Sequence, residues 1–346
     1  MSSTIKASAG LEFQINNETA LSIDANQNVS VNSLNIAGQA VSGYAGFKNR
    51  IINGDMKIDQ RNAGAAQILT NGAPVYTVDR WIAACYGGNG IGQQISDDAG
   101  GNRYRITGGS EITVAAFYQR IESKNSYDLA GSTATLSVDL ANSLLTTVTW
   151  AAYYANSTDT WSSATQIATG TFTVNSTVTN YSAQISIPSA ATTGLQIEFV
   201  IGAQTSGTFT VGSVQLEKGD TATSFDYRPY GTELNLCQRY YWQQIQASLQ
   251  FPTIATGTVM TSTTFRMNIQ YRQTMRTAPS ITISSSGTVD VSVGATASAI
   301  NVITAAYSTP ESSLTDCSLT VASTVGQAGV ALLAQPNSFI RFSAEL

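Results

Sequence analysis

Short runs that alternate apolar and polar residues, each closed by turn chemistry, recur about every dozen residues through the middle of the chain. They are Ala134 to Leu140 (ATLSVDL), Thr147 to Tyr153 (TVTWAAY), Gly170 to Val174, Tyr181 to Ile187, Leu195 to Ile201 and Thr208 to Leu216. A period of two sends one set of side chains into a core and the other to water, as an antiparallel sheet with one wet face requires. This spacing predicts an all-β unit over residues 47–230, most simply a jelly-roll sandwich of about eight strands.

Residues 231–346 return to the same pattern. Thr263 to Tyr271, Ser280 to Ser284, Thr288 to Val293, Ser318 to Ala322, Gly329 to Leu333 and Phe339 to Ala344 read as strands of a second small β-sandwich. Between the two units, Pro229-Tyr230-Gly231 breaks regular structure. Thr232 to Ala247 then places Leu234, Cys237, Tyr240 or Tyr241, and Ile245 at near-helical spacing, with Thr232 as the N-cap. The rings of Tyr240, Tyr241 and Trp242 suit either the packing of one helix or a threefold axis.

Residues 1–46 differ in kind. Leu11, Phe13, Ile15, then Leu21, Ile23, then Val29, Val31, Leu34, Ile36 alternate in pieces too short to be stable alone, split by Asn-rich turns. Such an extended segment needs partners, through trimeric intertwining or docking on another protein. Gly38 to Gly46 (GQAVSGYAG) reads as a linker.

Composition excludes several function classes. Charged residues make up 11% of the 346, against roughly 25% in ordinary soluble domains, and the net charge is −5 with no Lys/Arg run. Nucleic acid is therefore an unsuitable partner, since its binding needs a basic footprint. The longest apolar run, Gly329 to Ala334, falls far short of the roughly 20 residues of a spanning helix, so no membrane insertion is expected. MSSTIKASAG lacks the apolar core of a secretory signal, so folding in a cytosol is expected. With no histidine in the chain, Ser-His-Asp and Cys-His nucleophiles and imidazole bases are all ruled out. Cys85, Cys237 and Cys317 show no metal-ligand spacing and read as small buried residues.

Four ordered blocks carry a family resemblance. NRIINGDMKIDQRNAG (Asn49 to Gly64) is followed by Thr77-Val78-Asp79-Arg80-Trp81; then come Gln119-Arg120-Ile121-Glu122 before Leu129-Ala130-Gly131, the stretch QLEKGDTATSFDYRPYGTELNLCQRYY (Gln215 to Tyr241), and Met275-Arg276-Thr277-Ala278-Pro279. Together they resemble phage tail-fibre and receptor-binding proteins. The resemblance implies a homotrimer joined to a phage tail or baseplate protein through residues 1–46. It also implies a C-terminal tip that meets a host surface glycan or outer-membrane component, and a place in the virion after assembly in the host cytoplasm. Asn53-Gly54-Asp55 and Val214 to Glu217 also look like the terminal strands of jelly-roll carbohydrate-binding modules. Such modules often keep a structural calcium, for which Asp55 and Glu217 are the oxygen donors to consider. No other cofactor is implied.

Sugar recognition needs flat rings that stack on pyranose faces, with short amides and carboxylates for the hydroxyls. WAAYYANSTDTW, Trp150 to Trp161, offers such a set. Adjacent Tyr153 and Tyr154 face opposite ways in a strand, so one belongs to the core. Tyr154 and the loop-flanking Trp161 are taken as contacts. In the C-terminal unit the polar stretches YSTPESSLTD and QPNS add Tyr307, Glu311, Asp316 and Asn337, because loops on a rigid scaffold carry recognition. Trp81 reads as core, and Asp79, Arg80 and Glu122 as structural. No acidic pair is marked for glycan cleavage and no stacked-repeat period of a depolymerase appears, so the chain reads as a binder and not an enzyme. The alternative is a free carbohydrate-binding protein without a virion role. Which unit does the recognising stays open.

Overall fold

Strict alternation is visible in strand Leu195–Gly202, where Leu195, Ile197, Phe199 and Ile201 are buried and every residue between them reaches solvent. This computed structural model describes residues 47–97, 101–246, 251–285, 287–294 and 296–346, and the backbone of five short strands before them. Those are Leu11–Ile15, Glu18–Ile23 and Val29–Val31, which form one antiparallel sheet, and the pair Asn35–Ile36 and Gln39–Ala40. Leu34 and most of the Gly38 to Gly46 linker lie outside the described residues.

Two six-stranded antiparallel sheets make the sandwich. One runs Thr179–Ser186, Thr133–Asn142, Thr208–Lys218, Asn102–Thr107, Gly90–Ser96, Gln67–Leu69. The facing sheet runs Thr160–Thr173, Thr147–Ser157, Leu195–Gly202, Val114–Ile121, Trp81–Tyr86, Val75–Tyr76. The all-β jelly-roll expectation holds, with twelve strands where about eight were expected, because short edge strands such as Val75–Tyr76 carry too few residues to show a period. Between the sheets Trp81, Phe117 and Tyr104 form a stack, with centroids 4.6 and 4.9 Å apart. Such contacts add about 1 kcal/mol each beyond area burial.

The NRIINGD block is a clasp rather than a strand. Asn49 donates its amide to the Val214 carbonyl and accepts from the Ile51 and Leu216 amides. Asn53, with φ of 57°, donates to the Ile58 and Asp79 carbonyls, and its own carbonyl accepts the Trp81 indole N–H. Gly54 lies so close to Val214 that an added Cβ would sit 2.2 Å from that carbonyl oxygen, so only glycine fits.

After the sandwich a helix spans Tyr230–Gln238, and the chain turns at once into strand Tyr241–Ile245. The single helix expected from Thr232 onward is thus corrected. Pro229 sits at its start, Thr232 lies inside it, and Ala247 falls outside the described residues. Alternation decides the change: Trp242 stacks on Phe342 of strand Phe339–Ser343 with centroids 4.3 Å apart. Tyr240, Tyr241 and Trp242 are all buried within the one chain, so they are not available to a threefold axis.

The remaining strands form a three-stranded sheet, Tyr241–Ile245, Phe339–Ser343 and Ser280–Ile283, beside a closed six-stranded barrel. The barrel order is Thr253–Thr261, Thr264–Gln270, Ser312–Leu319, Thr296–Ser308, Val289–Val293, Ala328–Leu333. A strand expected at Ser318 to Ala322 is found at Ser312–Leu319, and the 13-residue Thr296–Ser308 was not anticipated. The reason is that Ser313 and Thr315 face inward there and Leu314 outward, which blurs the pattern.

The two cores are joined by a cluster of buried charge. Arg80, held at a φ of 74°, ion-pairs with Glu345, donates to the Arg120 carbonyl at 2.7 Å, and lies over the Tyr240 ring at 3.6 Å. Glu122 accepts two bonds from Arg239 at 2.8 and 3.0 Å and one from the Tyr240 hydroxyl at 2.9 Å. Arg276 donates to the carbonyls of Ala344 and Glu345. Trp81 is core and Asp79, Arg80 and Glu122 are structural, as the sequence suggested. The three cysteines are free and buried, and burial pushes the Cys85 thiol to about 11 and Cys317 to about 12.

Two predictions follow from burial. Glu122→Ala should cost about 3 kcal/mol, the low end for a broken buried pair because Arg239 still reaches solvent. Arg266→Ala, which breaks an equally bidentate but open pair with Asp316, should leave the thermal midpoint nearly unmoved. Scanning calorimetry of both variants checks this. Burial also pushes the Asp79 carboxyl to about 6, against the opposing pull of Arg61. Between its unfolded value near 4 and 6 the folded state binds the extra proton, so this residue makes stability rise as pH falls through that window. Asp79→Asn should flatten the dependence of melting temperature on pH between 4 and 6.

Candidate functional site

Across the second sheet, register aligns an outward-facing set of rings and polar groups. Tyr118 of Val114–Ile121 pairs with Glu198 of Leu195–Gly202, which in turn pairs with Ala151 of Thr147–Ser157. One step along, Arg120 pairs with Gln196 and Gln196 with Tyr153, which faces Gln166. Ala84, Ala116 and Ala151 lie on the same side of their strands and are covered. Tyr86, Tyr118 and Tyr153 stand on that same side of the sheet.

Polar chemistry lies between the rings. Arg120 donates to the Gln196 side chain at 3.2 Å, and its guanidinium lies 5.6 Å from the Tyr118 ring and 5.3 Å from that of Trp161. Gln196 donates to Glu198 at 3.2 Å. Burial raises the Glu198 carboxyl above its ordinary range, moderated by Gln196 and Arg120. The phenol of Tyr118 is raised too, first by burial and then by Glu198, and Tyr153 likewise. The face therefore combines flat apolar surfaces with a carboxylate, two amides and a guanidinium, the set that orients a polyhydroxylated ligand.

The sequence-derived residues are distributed unevenly. Trp161 joins this face, half-buried beside Arg120, with its indole N–H buried and without a partner. Tyr154 does not. It packs against the sandwich core opposite buried Leu195, and its neighbour Tyr153 takes the outward position opposite Gln196, in unbroken alternation along strand Leu195–Gly202. Tyr118, Arg120, Gln196 and Glu198 were missed; the alternation of Leu195 to Ile201 marked Gln196 and Glu198 as outward, but cross-strand alignment is not written in one strand.

The C-terminal set is dispersed. Tyr307 and Asp316 sit on adjacent barrel strands, Tyr307 highly exposed and Asp316 tied to Arg266 at 2.6 Å. Instead of a long loop, Tyr307 to Asp316 is a hairpin whose turn is held at its carbonyls by the amides of Tyr271 and Met275. Glu311 lies in that turn, its carbonyl accepting the Tyr271 amide. Asn337, with φ of 62°, lies at the far end of strand Phe339–Ser343, bonded to Gln246. The four do not form one site.

The two carboxylates considered for calcium are engaged within the protein. Asp55 stands in a turn and ion-pairs with Lys57 at 2.8 Å. Glu217 accepts from the Thr223 amide and hydroxyl and from Gln215. Both carboxylates are taken up by protein donors, and among the described residues no three His, Cys, Asp or Glu side chains gather as metal ligands. No helix among the described residues is long and apolar enough to cross a membrane.

No protein-family model matches the sequence, and no curated protein matches it. Solved structures do show similarity over about half of the chain. One described as "CBM4 structure and function" has 18% identity and a TM-score of 0.33, covering 48% of this chain and 98% of that one. The CBM22-1–GH10 modules of Clostridium thermocellum endo-1,4-beta-D-xylanase 10B, complexed with xylohexaose, have 13% identity and a TM-score of 0.33, over 51% of this chain and 29% of that one. The enzymatically active domain of bacteriophage CBA120 tailspike protein 4 has 13% identity and a TM-score of 0.33, over 50% of this chain and 22% of that one.

The two neighbouring tyrosines give a direct check. Tyr154→Ala should lower stability by about 2 kcal/mol through lost packing, whereas Tyr153→Ala should leave the urea midpoint within about 0.5 kcal/mol of the parent.

Proposed function

We propose that this chain is an adhesion protein that holds a glycan on the outer sandwich face of Tyr118, Tyr153, Trp161, Gln196 and Glu198. The observation that carries this reading is the register that aligns Tyr118 with Glu198 and Tyr153 with Gln196. Rings supply stacking, and the carboxylate and amides accept from and donate to hydroxyls. The role is binding without bond cleavage.

The wider setting proposed is a homotrimeric phage tail fibre in the virion. It attaches to a tail or baseplate protein through residues 1–46 and meets a bacterial surface glycan or outer-membrane component. The four sequence blocks that resemble tail-fibre proteins support it. Three linked copies would raise the effective concentration of each weak sugar site and so convert low affinity into firm attachment. The same face also serves a free carbohydrate-binding protein, which is the second reading.

One measurement tests the face and a second separates the two readings. On a glycan array, Tyr118→Ala and Glu198→Gln should each lose at least about tenfold of the signal, and Tyr307→Ala should lose none. Full binding by Tyr118→Ala would overturn the assignment of the face. By light scattering, a mass near three times 36.5 kDa supports the fibre. A monomer would remove the fibre and leave the free binding protein.

A further inference from the structure

A recess lies where the NRIINGD clasp meets the helix Tyr230–Gln238. It encloses about 260 Å³ and is lined by Phe47, Arg50, Ile52, Lys124, Asn125 and Arg228 among others. Three cations around one small cavity are unexpected in a chain of net charge −5. Two of them are partly neutralised: Arg228 by Glu233 at 3.2 Å, and Arg50 by Asp128, which takes one terminal nitrogen at 2.7 Å. Asp226 approaches Arg228 at 4.0 Å and accepts the main-chain amides of Lys48 and Asn49, while the Lys48 ammonium is held by Thr223 and the Ser224 carbonyl. Lys124 is exposed and has no partner among the described residues, and the Arg50 Nε is buried without one.

One wall of this recess is different in character. The Phe47 ring is 53% exposed and lies 5.0 Å from the Arg228 guanidinium, which holds it at the rim. An oxyanion alone has no use for an exposed ring or for the apolar Ile52 side chain. A ligand that joins a carboxylate to a flat C–H face uses all of them. The volume lies just below the roughly 300 Å³ at which drug-sized pockets begin, which suits a single sugar unit.

We propose that this recess binds the carboxylate of an acidic sugar, a uronate unit, with Lys124 and Arg50 on the carboxylate and Phe47 on the pyranose face. Such a carboxylate gains charge-assisted hydrogen bonds, and the arginine side chain presents further donors in a fixed fork. The site is separate from the Tyr118 face and does not depend on it. Together they would read two features of one surface polysaccharide, a neutral unit and an acidic one.

Saturation-transfer NMR on the full chain tests this with galacturonate, galactose and inorganic sulfate as probes. Galacturonate protons should receive saturation, and Lys124→Glu should reduce that transfer at least about fivefold. Phe47→Ala should reduce it as well, while Tyr118→Ala should leave it unchanged. Lys124 is exposed and unpaired, so its replacement does not endanger folding. Sulfate should compete only weakly. Transfer to galacturonate that survives Lys124→Glu, no transfer at all, or full displacement by equimolar sulfate would each overturn the uronate site. Because Tyr118→Ala reports only on the sandwich face, failure of one site is distinguishable from failure of the other.

Discussion

Arg80 is the side chain on which the arrangement of the two units depends. It is fully buried, sits in the left-handed region of backbone space and is paired with Glu345 from the end of the described chain. A guanidinium in that position is tolerable only because an anion, a carbonyl and the face of Tyr240 surround it. Each of those partners comes from a different part of the sequence. The charge thereby fixes where the last strand must end relative to the sandwich.

Around it a second layer repeats the device. Glu122 holds Arg239, Arg61 reaches both Asp79 and Glu345, and Arg120 and Tyr76 both donate to the main-chain oxygen of Leu346. Buried ion pairs are weak sources of net stability but strong penalties against wrong geometry, since any misplacement leaves a bare charge. They therefore specify one docking of sandwich and barrel. Arg120 has a further consequence: the same guanidinium that contacts Leu346 lies between the Tyr118 and Trp161 rings. The candidate glycan face is built directly onto the junction.

This explains why the polar residues of the junction are so widely separated in sequence. Asn49, Asn53, Asp79, Arg80, Gln119, Glu122, Arg239 and Arg276 stretch across most of the chain, yet they meet in adjoining clasps. Their side-chain types follow from that packing. Gln119, for example, donates to and accepts from the Ile52 backbone at 2.7 and 2.9 Å. These residues are the fasteners of the fold.

What the sequence determined by itself was local: all-β class, a sandwich with alternating strands, buried cysteines and Trp81, and structural roles for Arg80 and Glu122. Those properties depend on side-chain period and polarity, which one strand displays without reference to its neighbours. The candidate site was only partly legible. Trp161 was visible as a ring beside a polar loop, whereas Tyr118 and Glu198 lie 80 positions apart and become neighbours only through strand register. The choice between Tyr153 and Tyr154 was likewise settled by register, because pairing with outward Gln196 and buried Leu195 fixes which face each takes. The closure of the barrel, the helix-to-strand change at Tyr240 and the scattering of Glu311 and Asn337 were decided by tertiary structure alone. Each follows from contacts between distant segments, whose energies no local pattern encodes.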